Sequence, residues 1–584
     1  MFGLVAVSLL AGALLLIFTC RPQAAEPAYD SVPLLLGEAE KASFSHDVAR
    51  ERAVLERAER LTGSPEDLAE VQRRLAVIEW KYHARFDEAR ARLLRATGAA
   101  EPAEAWLALA RLEQARERFD AARKAALKAR ELADSPAVGR QALIALARAS
   151  VGEATARRLR GEQEQGISEA LPAVFEELRG TVARDPGHLE PSRLLLRAAL
   201  LLDDGPTALL GWRSYFHVTS DRVGPNLVAE AGRELRRLLR GWPGPDAAAE
   251  ARVDLTTALA ASRLFTEGAL VGLAGASPGA AREDLRVRRV VAYARFLRQA
   301  RRLTEEYYRQ TILGNDKRRS WQASLSEAAS PLLSMLEDEA LERARVGPVP
   351  PVDPGRVGRL GADLVDLLNR RFGAYISIGK TAGYFDLHMG HRVLDETRIV
   401  EQYGHRAELR FVALDNLVSN GFQSWAWESG AQHGGWNKPY GIYQVRPAYV
   451  GRSLEAWQLL HSAEELRERL DEMQNESALD DERAARDPHA YLPGLAKRLR
   501  HQGERRLLER LRSGGLEGEP LRLAFVAAYD HAVQESSIFA HEGRHAIDRR
   551  AGGMFQALKN PEFTAKLAEV AFAPEPRLAL GGIL

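Results

Sequence analysis

The chain has 584 residues, more than one hydrophobic core can serve, so two or three domains are expected. Its 81 Lys and Arg against 80 Asp and Glu leave a net charge of +1, which gives no electrostatic basis for a nucleic-acid partner. The single cysteine excludes an intramolecular disulfide.

Phe2 to Thr19 is an uncharged apolar run with the length of a signal sequence or short anchor. Cys20 follows it directly, and the junction resembles a bacterial lipoprotein cleavage site, although Ile17-Phe18-Thr19 departs from the usual lipobox and no basic residue precedes the run. A lipid anchor at Cys20, a cleaved signal peptide and an uncleaved anchor remain open. Each implies export, to a bacterial cell envelope, with the membrane engaged through this segment. Residues 21–37 read as a linker.

Residues 38–345 read as helix almost throughout, with Ala, Leu, Arg and Glu dominant and apolar residues recurring at three and four. Phe86-Asp87-Glu88-Ala89-Arg90 and Phe119-Asp120-Ala121-Ala122-Arg123 are near-copies. Trp106, Leu109, Ala110, Ala122, Ala126 and Ala129, then Pro136, alternate large and small, with Ala89, Leu93 and Ala96 one repeat of ~34 residues upstream. Over residues 65–136 this resembles tetratricopeptide repeats, which implies stacked helix pairs with a concave face for a protein partner. Beyond about residue 210 an irregular helical bundle is the better reading.

Residues 346–355 carry prolines at a density that stops helices and favours an extended linker. Thereafter Tyr375–Ile378, Tyr384–Met389, Arg398–Tyr403 and Glu408–Leu414 read as short strands between turns. Gly379-Lys380-Thr381 imitates the end of a phosphate-binding loop, but position 374 is Ala where that loop needs Gly, so a β-turn is expected. Residues 420–443 hold three tryptophans among many glycines. They read either as a cleft wall or lid, with Glu428 and His433 as polar contributors, or as a patch packed on the sheet. Residues 463–518 read as a charged helical insertion at the periphery.

His541-Glu542-Gly543-Arg544-His545 spells H-E-x-x-H inside an amphipathic helical stretch that begins near Leu521. Histidines four apart lie on one helix face and can bind one Zn2+. Glu542, one step round, is placed to act as general base on a water whose pKa the metal lowers from ~15.7 towards ~7. A surface helix with two hydrogen-bonded histidines is the bland alternative. The metzincin pattern is closed, since its Gly and third ligand would fall at Asp548 and Ala551. Pro561 opens a further amphipathic run in which Glu562 and Glu569 share a face at i, i+7. Either could be the third ligand.

Here the chain resembles the gluzincin group of zinc metallopeptidases, in which a glutamate on a second helix completes the His-Glu-His set. That glutamate is commonly followed three residues later by a small residue. Glu562 has Ala565 there, whereas Glu569 has Phe572, so the resemblance favours Glu562, with Glu569 as rival or supporting group. Two positions depart from the pattern. Arg544 stands where an uncharged residue is usual, harmless if it faces solvent or meets Asp548 at i+4. Lys566 stands where an Asp commonly orients a ligand histidine, leaving Asp530 or Asp548 as substitutes.

The expected fold is therefore mainly α: a helical-repeat, tetratricopeptide-like solenoid or bundle, then an α+β zincin-like domain over 356–584 with a small antiparallel sheet. The expected activity is that of an exported, membrane-associated zinc metallopeptidase acting on a peptide or protein substrate, with His433, Tyr529 or His531 as candidates to stabilise the oxyanion. A zinc amidase acting on cell-wall peptides would share this chemistry. A non-enzymatic envelope scaffold with a structural or degenerate zinc site is the competing class.

Overall fold

A computed structural model describes residues 31–44, 47–83, 85–100, 102–162, 170–184, 189–220, 229–274, 284–312, 368–381, 384–419, 435–438, 441–445, 447–487, 492–550 and 561–583, with short pieces between 323 and 334. The apolar run with Cys20, the 346–355 linker and the first part of the aromatic segment, residues 420–434 with Glu428 and His433, lie outside the described residues. No described helix is long and apolar enough to cross a membrane. The fold is mainly helical, with one small sheet.

The chain divides into two compact units, both discontinuous in sequence. One, the helical unit, comprises Ala76–Leu394 and Leu414–Gly430. The other, here the composite unit, comprises Met1–Leu75, Asp395–Ala413 and Ala431–Leu584. The first three helices, α1 (Val32–Phe44), α2 (Val48–Leu61) and most of α3 (Pro65–Lys81), thus belong with the C-terminal helices and not with the 38–345 region read from sequence. The physical reason is visible at Gly37, where the fully buried guanidinium of Arg483 fills the space a Cβ would need.

In the helical unit, α4 (Phe86–Ala100), α5 (Ala103–Ala115), α6 (Phe119–Glu131) and α7 (Pro136–Arg160) pack consecutively. The two near-copied segments each open a helix, α4 and α6. Their repeat positions Ala89, Leu93, Ala96, Ala122, Ala126 and Ala129 are all buried, because small side chains let neighbouring backbones approach. Ser135 caps α7 by accepting from Val138 N–H, with Pro136 at its first turn. A second core gathers Phe265, Tyr293 and Phe372, with Tyr293 and Phe372 stacked at 4.0 Å between ring centroids.

The sheet holds β1 (Ala374–Thr381), β2 (Tyr384–Gln402), β3 (His405–Ser419), β4 (Gly435–Lys438) and β5 (Gly441–Val445) in the order β1-β2-β3-β5-β4. β1 with β2, and β4 with β5, pair antiparallel as expected, but the sheet as a whole is mixed; β3 neighbours β5, which leaves β4 at the edge. Tyr384–Met389 and Arg398–Tyr403 read as separate strands, yet form one continuous β2. Asp395, which resembles a turn residue, instead meets Arg410 of β3 (Arg410 Nε to Asp395 Oδ1, 2.6 Å), while Val393 and Leu394 are buried. Gly379-Lys380-Thr381, expected to turn, continues β1. The β2–β3 turn places Tyr403 at φ +50 and Gly404 at φ +78, the signs of a type I′ turn.

The charged stretch 463–518 is not peripheral. In sequence it follows α8 (Ala170–Arg184), α9 (Leu189–Leu201), α10 (Gly205–Ser220), α11 (Ala229–Arg240), α12 (Ala249–Ala261), α13 (Phe265–Leu273), α14 (Leu285–Ile312) and α15 (Pro447–His461), and its helices α16 (Ala463–Arg486) and α17 (Pro493–Ser513) bury Asp480, Arg483, His501, Glu504, Leu507 and Leu508. Charge-rich composition misleads here because long side chains pair with one another inside the unit, as Arg483 does with Glu476 and Asp480.

Candidate metal centre

The helix expected from Leu521 onward exists as α18 (Gly518–Val533), running on through a π-helical stretch, Gln534–Ala540, into α19 (His541–Arg550). Leu521, Phe525, Val526, Tyr529, Ile538 and Phe539 bury one side, as their spacing predicts. The π-helical turns are not readable from apolar spacing. The Ser536 and Ser537 hydroxyls donate to the carbonyls of Ala532 and Val533, a competition with the backbone ladder that accompanies such departures.

β2 supports this helix with alternate residues, as strand periodicity dictates. Arg398 lies over the Phe539 ring at 4.3 Å. Val400 abuts Gly543, where an added Cβ would come within 2.5 Å of Val400 Cγ1. Gln402 donates from Nε2 to the Ala540 carbonyl at 2.7 Å. Glycine inside the motif is thus a packing requirement, worth the ~1 kcal/mol of helix propensity it forfeits.

α20 (Pro561–Ala571) presents Glu562 from its first turn and Glu569 two turns later. Ala565 and Ala568 are fully buried, which lets α20 approach α19. The Glu562 carboxylate faces both histidines: Oε2 is 3.3 Å from His541 Nε2, and Oε1 is 3.2 Å from His545 Nε2. Three ligand atoms, one from each of His541, His545 and Glu562, lie within 4.8 Å of one another. Zinc bonds of 2.0–2.1 Å at tetrahedral angles separate neighbouring ligands by roughly 3.3 Å, so these spacings fit a small divalent cation. The histidines are largely buried while Glu562 is 67% exposed at its side chain, so the cluster opens to solvent at the glutamate.

Glu569 does not join the ligand atoms. Its Oε2 sits 3.3 Å from His541 Nδ1, the ring nitrogen opposite the cluster, and 3.0 Å from Lys566 Nζ. The carboxylate beside His541 Nδ1 thus lies seven residues after Glu562, not four. The substitutes considered for that role are otherwise engaged. Asp548 forms a two-pronged ion pair with Arg544 at 2.9 and 3.0 Å, and Asp530 is buried in α18 three turns before His541. Arg544 does not face solvent; its side chain is buried, paired with Asp548 and set 5.5 Å from the Tyr403 ring centroid. Tyr403 in turn meets Phe572 edge to face at 5.0 Å.

Burial opposes charge on His541, but the Glu562 and Glu569 carboxylates outweigh it and lift the imidazole to about 9. Hydrogen bonds from His541 and His545 hold Glu562 far below the carboxylate range. Burial pushes Glu542 up, against the pull of the two histidines, in the direction a general base near neutrality requires. Tyr529 and His531 are not part of the site. They precede His541 by twelve and ten residues, which a helical rise turns into roughly 15–18 Å, and Tyr529 is core-packed while His531 is exposed beside Glu535.

No protein-family model matches this chain, and no curated protein matches it.

Proposed function

We propose that the chain is a zinc-dependent hydrolase cleaving peptide bonds, with His541, His545 and Glu562 as metal ligands and Glu542 as general base. The observation that carries this reading is the convergence of both Nε2 atoms on one glutamate carboxylate borne by a second helix. A bound zinc would supply Lewis-acid chemistry and acidify a water. Glu542 would take the proton from that water and return it to the departing amine. Among the described residues the cluster offers three protein ligands and a flank exposed at Glu562, an arrangement that suits a catalytic centre with a position left for water.

A peptide substrate is supported by β4, which lies at one edge of the sheet and packs against α19, where an extended chain would add by backbone pairing. Export and membrane attachment rest on Phe2–Thr19 and Cys20. The buried alanines of α4 and α6 support tetratricopeptide-like pairing, and a partner-binding role, in the helical unit.

The test measures zinc stoichiometry and hydrolysis of a quenched-fluorescence peptide library and of cell-wall peptides by wild type and Glu542→Gln. About one zinc in both, with turnover reduced ~100- to 10,000-fold in the variant, supports the assignment. A folded wild-type protein that takes up no zinc refutes it, and cleavage of cell-wall peptides alone would place it among amidases.

A further inference from the structure

We infer that Glu569 is a positioning residue for His541 and that Lys566, by sharing the same carboxylate oxygen, holds the affinity of the metal centre below what the ligand set alone would give. The inference deepens the metal-centre reading and rests on it.

Glu569 is buried, with its Oε2 facing His541 Nδ1 at 3.3 Å. An imidazole that donates from Nδ1 to a carboxylate is fixed in the tautomer whose Nε2 lone pair is free, and it becomes a better donor. His541 Nε2 is the atom turned towards Glu562. Lys566 Nζ reaches the identical oxygen at 3.0 Å. Its ammonium draws charge from the carboxylate and adds a positive charge behind the ligand histidine, so both effects weaken cation binding. Glu562, Lys566 and Glu569 recur at four and three residues on α20, so one helix face carries a ligand, an attenuator and the carboxylate it attenuates.

The experiment measures zinc affinity by chelator competition in the full-length protein, with the visible spectrum and the hyperfine-shifted proton spectrum of the cobalt-loaded forms. Glu569→Ala is expected to weaken zinc binding about 10- to 100-fold, and to abolish the slowly exchanging N–H resonance of His541. Glu569→Gln, which still accepts from Nδ1, is expected to fall between wild type and Glu569→Ala and to keep that resonance. Lys566→Met is expected to tighten zinc binding about three- to tenfold and shift the cobalt spectrum, with Lys566→Arg restoring the wild-type value. Tightening cannot arise from a misfolded protein, so the lysine variant decides the matter even if Glu569→Ala folds poorly. Unchanged or weakened binding in Lys566→Met overturns the inference and leaves the metal centre standing. A folded wild type that takes neither zinc nor cobalt overturns both.

Discussion

Val400 of β2 stands directly against Gly543 of α19, with its Cγ1 2.5 Å from where a Cβ on Gly543 would lie. The helix bearing the two histidines is seated on the sheet through a residue without a side chain. Gly543→Ala adds one methyl group at this contact and, despite alanine's better helix propensity, should destabilise the protein by about 1–3 kcal/mol. Urea unfolding would show the loss. Val400→Ala in the Gly543→Ala background should recover part of it, and additive effects of the two substitutions would mean that the contact does not limit stability.

Arg544 and Asp548 form an ion pair with the arginine buried, so removal of one partner strands the other. Arg544→Ala should cost about 3 kcal/mol, whereas Arg544→Met, which keeps much of the apolar packing on Tyr403, should cost less when combined with Asp548→Asn. Thermal denaturation of the three variants checks the order.

Burial raises Glu504, inside α17, from the ordinary carboxylate range to about 7. The folded protein therefore holds this proton more tightly than the unfolded chain. The stabilising contribution is fully present below about pH 4.5 and is lost as pH rises through about 7. The difference in unfolding free energy between wild type and Glu504→Gln should change by about 3 kcal/mol across that interval, with wild type losing ground as pH increases. A pH-independent difference would show that Glu504 is not the titrating group.

Tyr403 occupies the left-handed region at φ +50 in the β2–β3 turn, a conformation that asparagine tolerates better. Tyr403→Asn should relieve backbone strain but forfeit the contacts with Phe572 and Arg544. Tyr403→Asn and Tyr403→Leu, compared in a Phe572→Ala background, separate the two effects: asparagine should be the more stable by about 0.5–1 kcal/mol.

The local parts of the site were legible in sequence, and the long-range parts were not. A four-residue spacing places His541 and His545 on one face whatever else the chain does, and Ala565 signals close packing after Glu562, as its full burial bears out. The resemblance favours Glu562 over Glu569 as ligand, but the residues by themselves leave both open, because both lie on one face of α20 and only the crossing of α19 decides which reaches Nε2 and which reaches Nδ1. The support from Arg398, Val400 and Gln402 was equally hidden: alternation in β2 marks a common face but not the helix that covers it. Tyr529 and His531 were drawn in by nearness in sequence, which along a helix becomes distance.

The composite unit draws on Met1–Leu75, Asp395–Ala413 and Ala431–Leu584, so α1 and α2 are made several hundred residues before the C-terminal helices of the same unit. At about 5–20 residues per second, α1 emerges tens of seconds before Arg483, whose guanidinium fills the space beside Gly37. The His541, His545 and Glu562 cluster therefore assembles only after α20 has been made, and a nascent chain that stops short of α20 holds two histidines without the carboxylate that faces them.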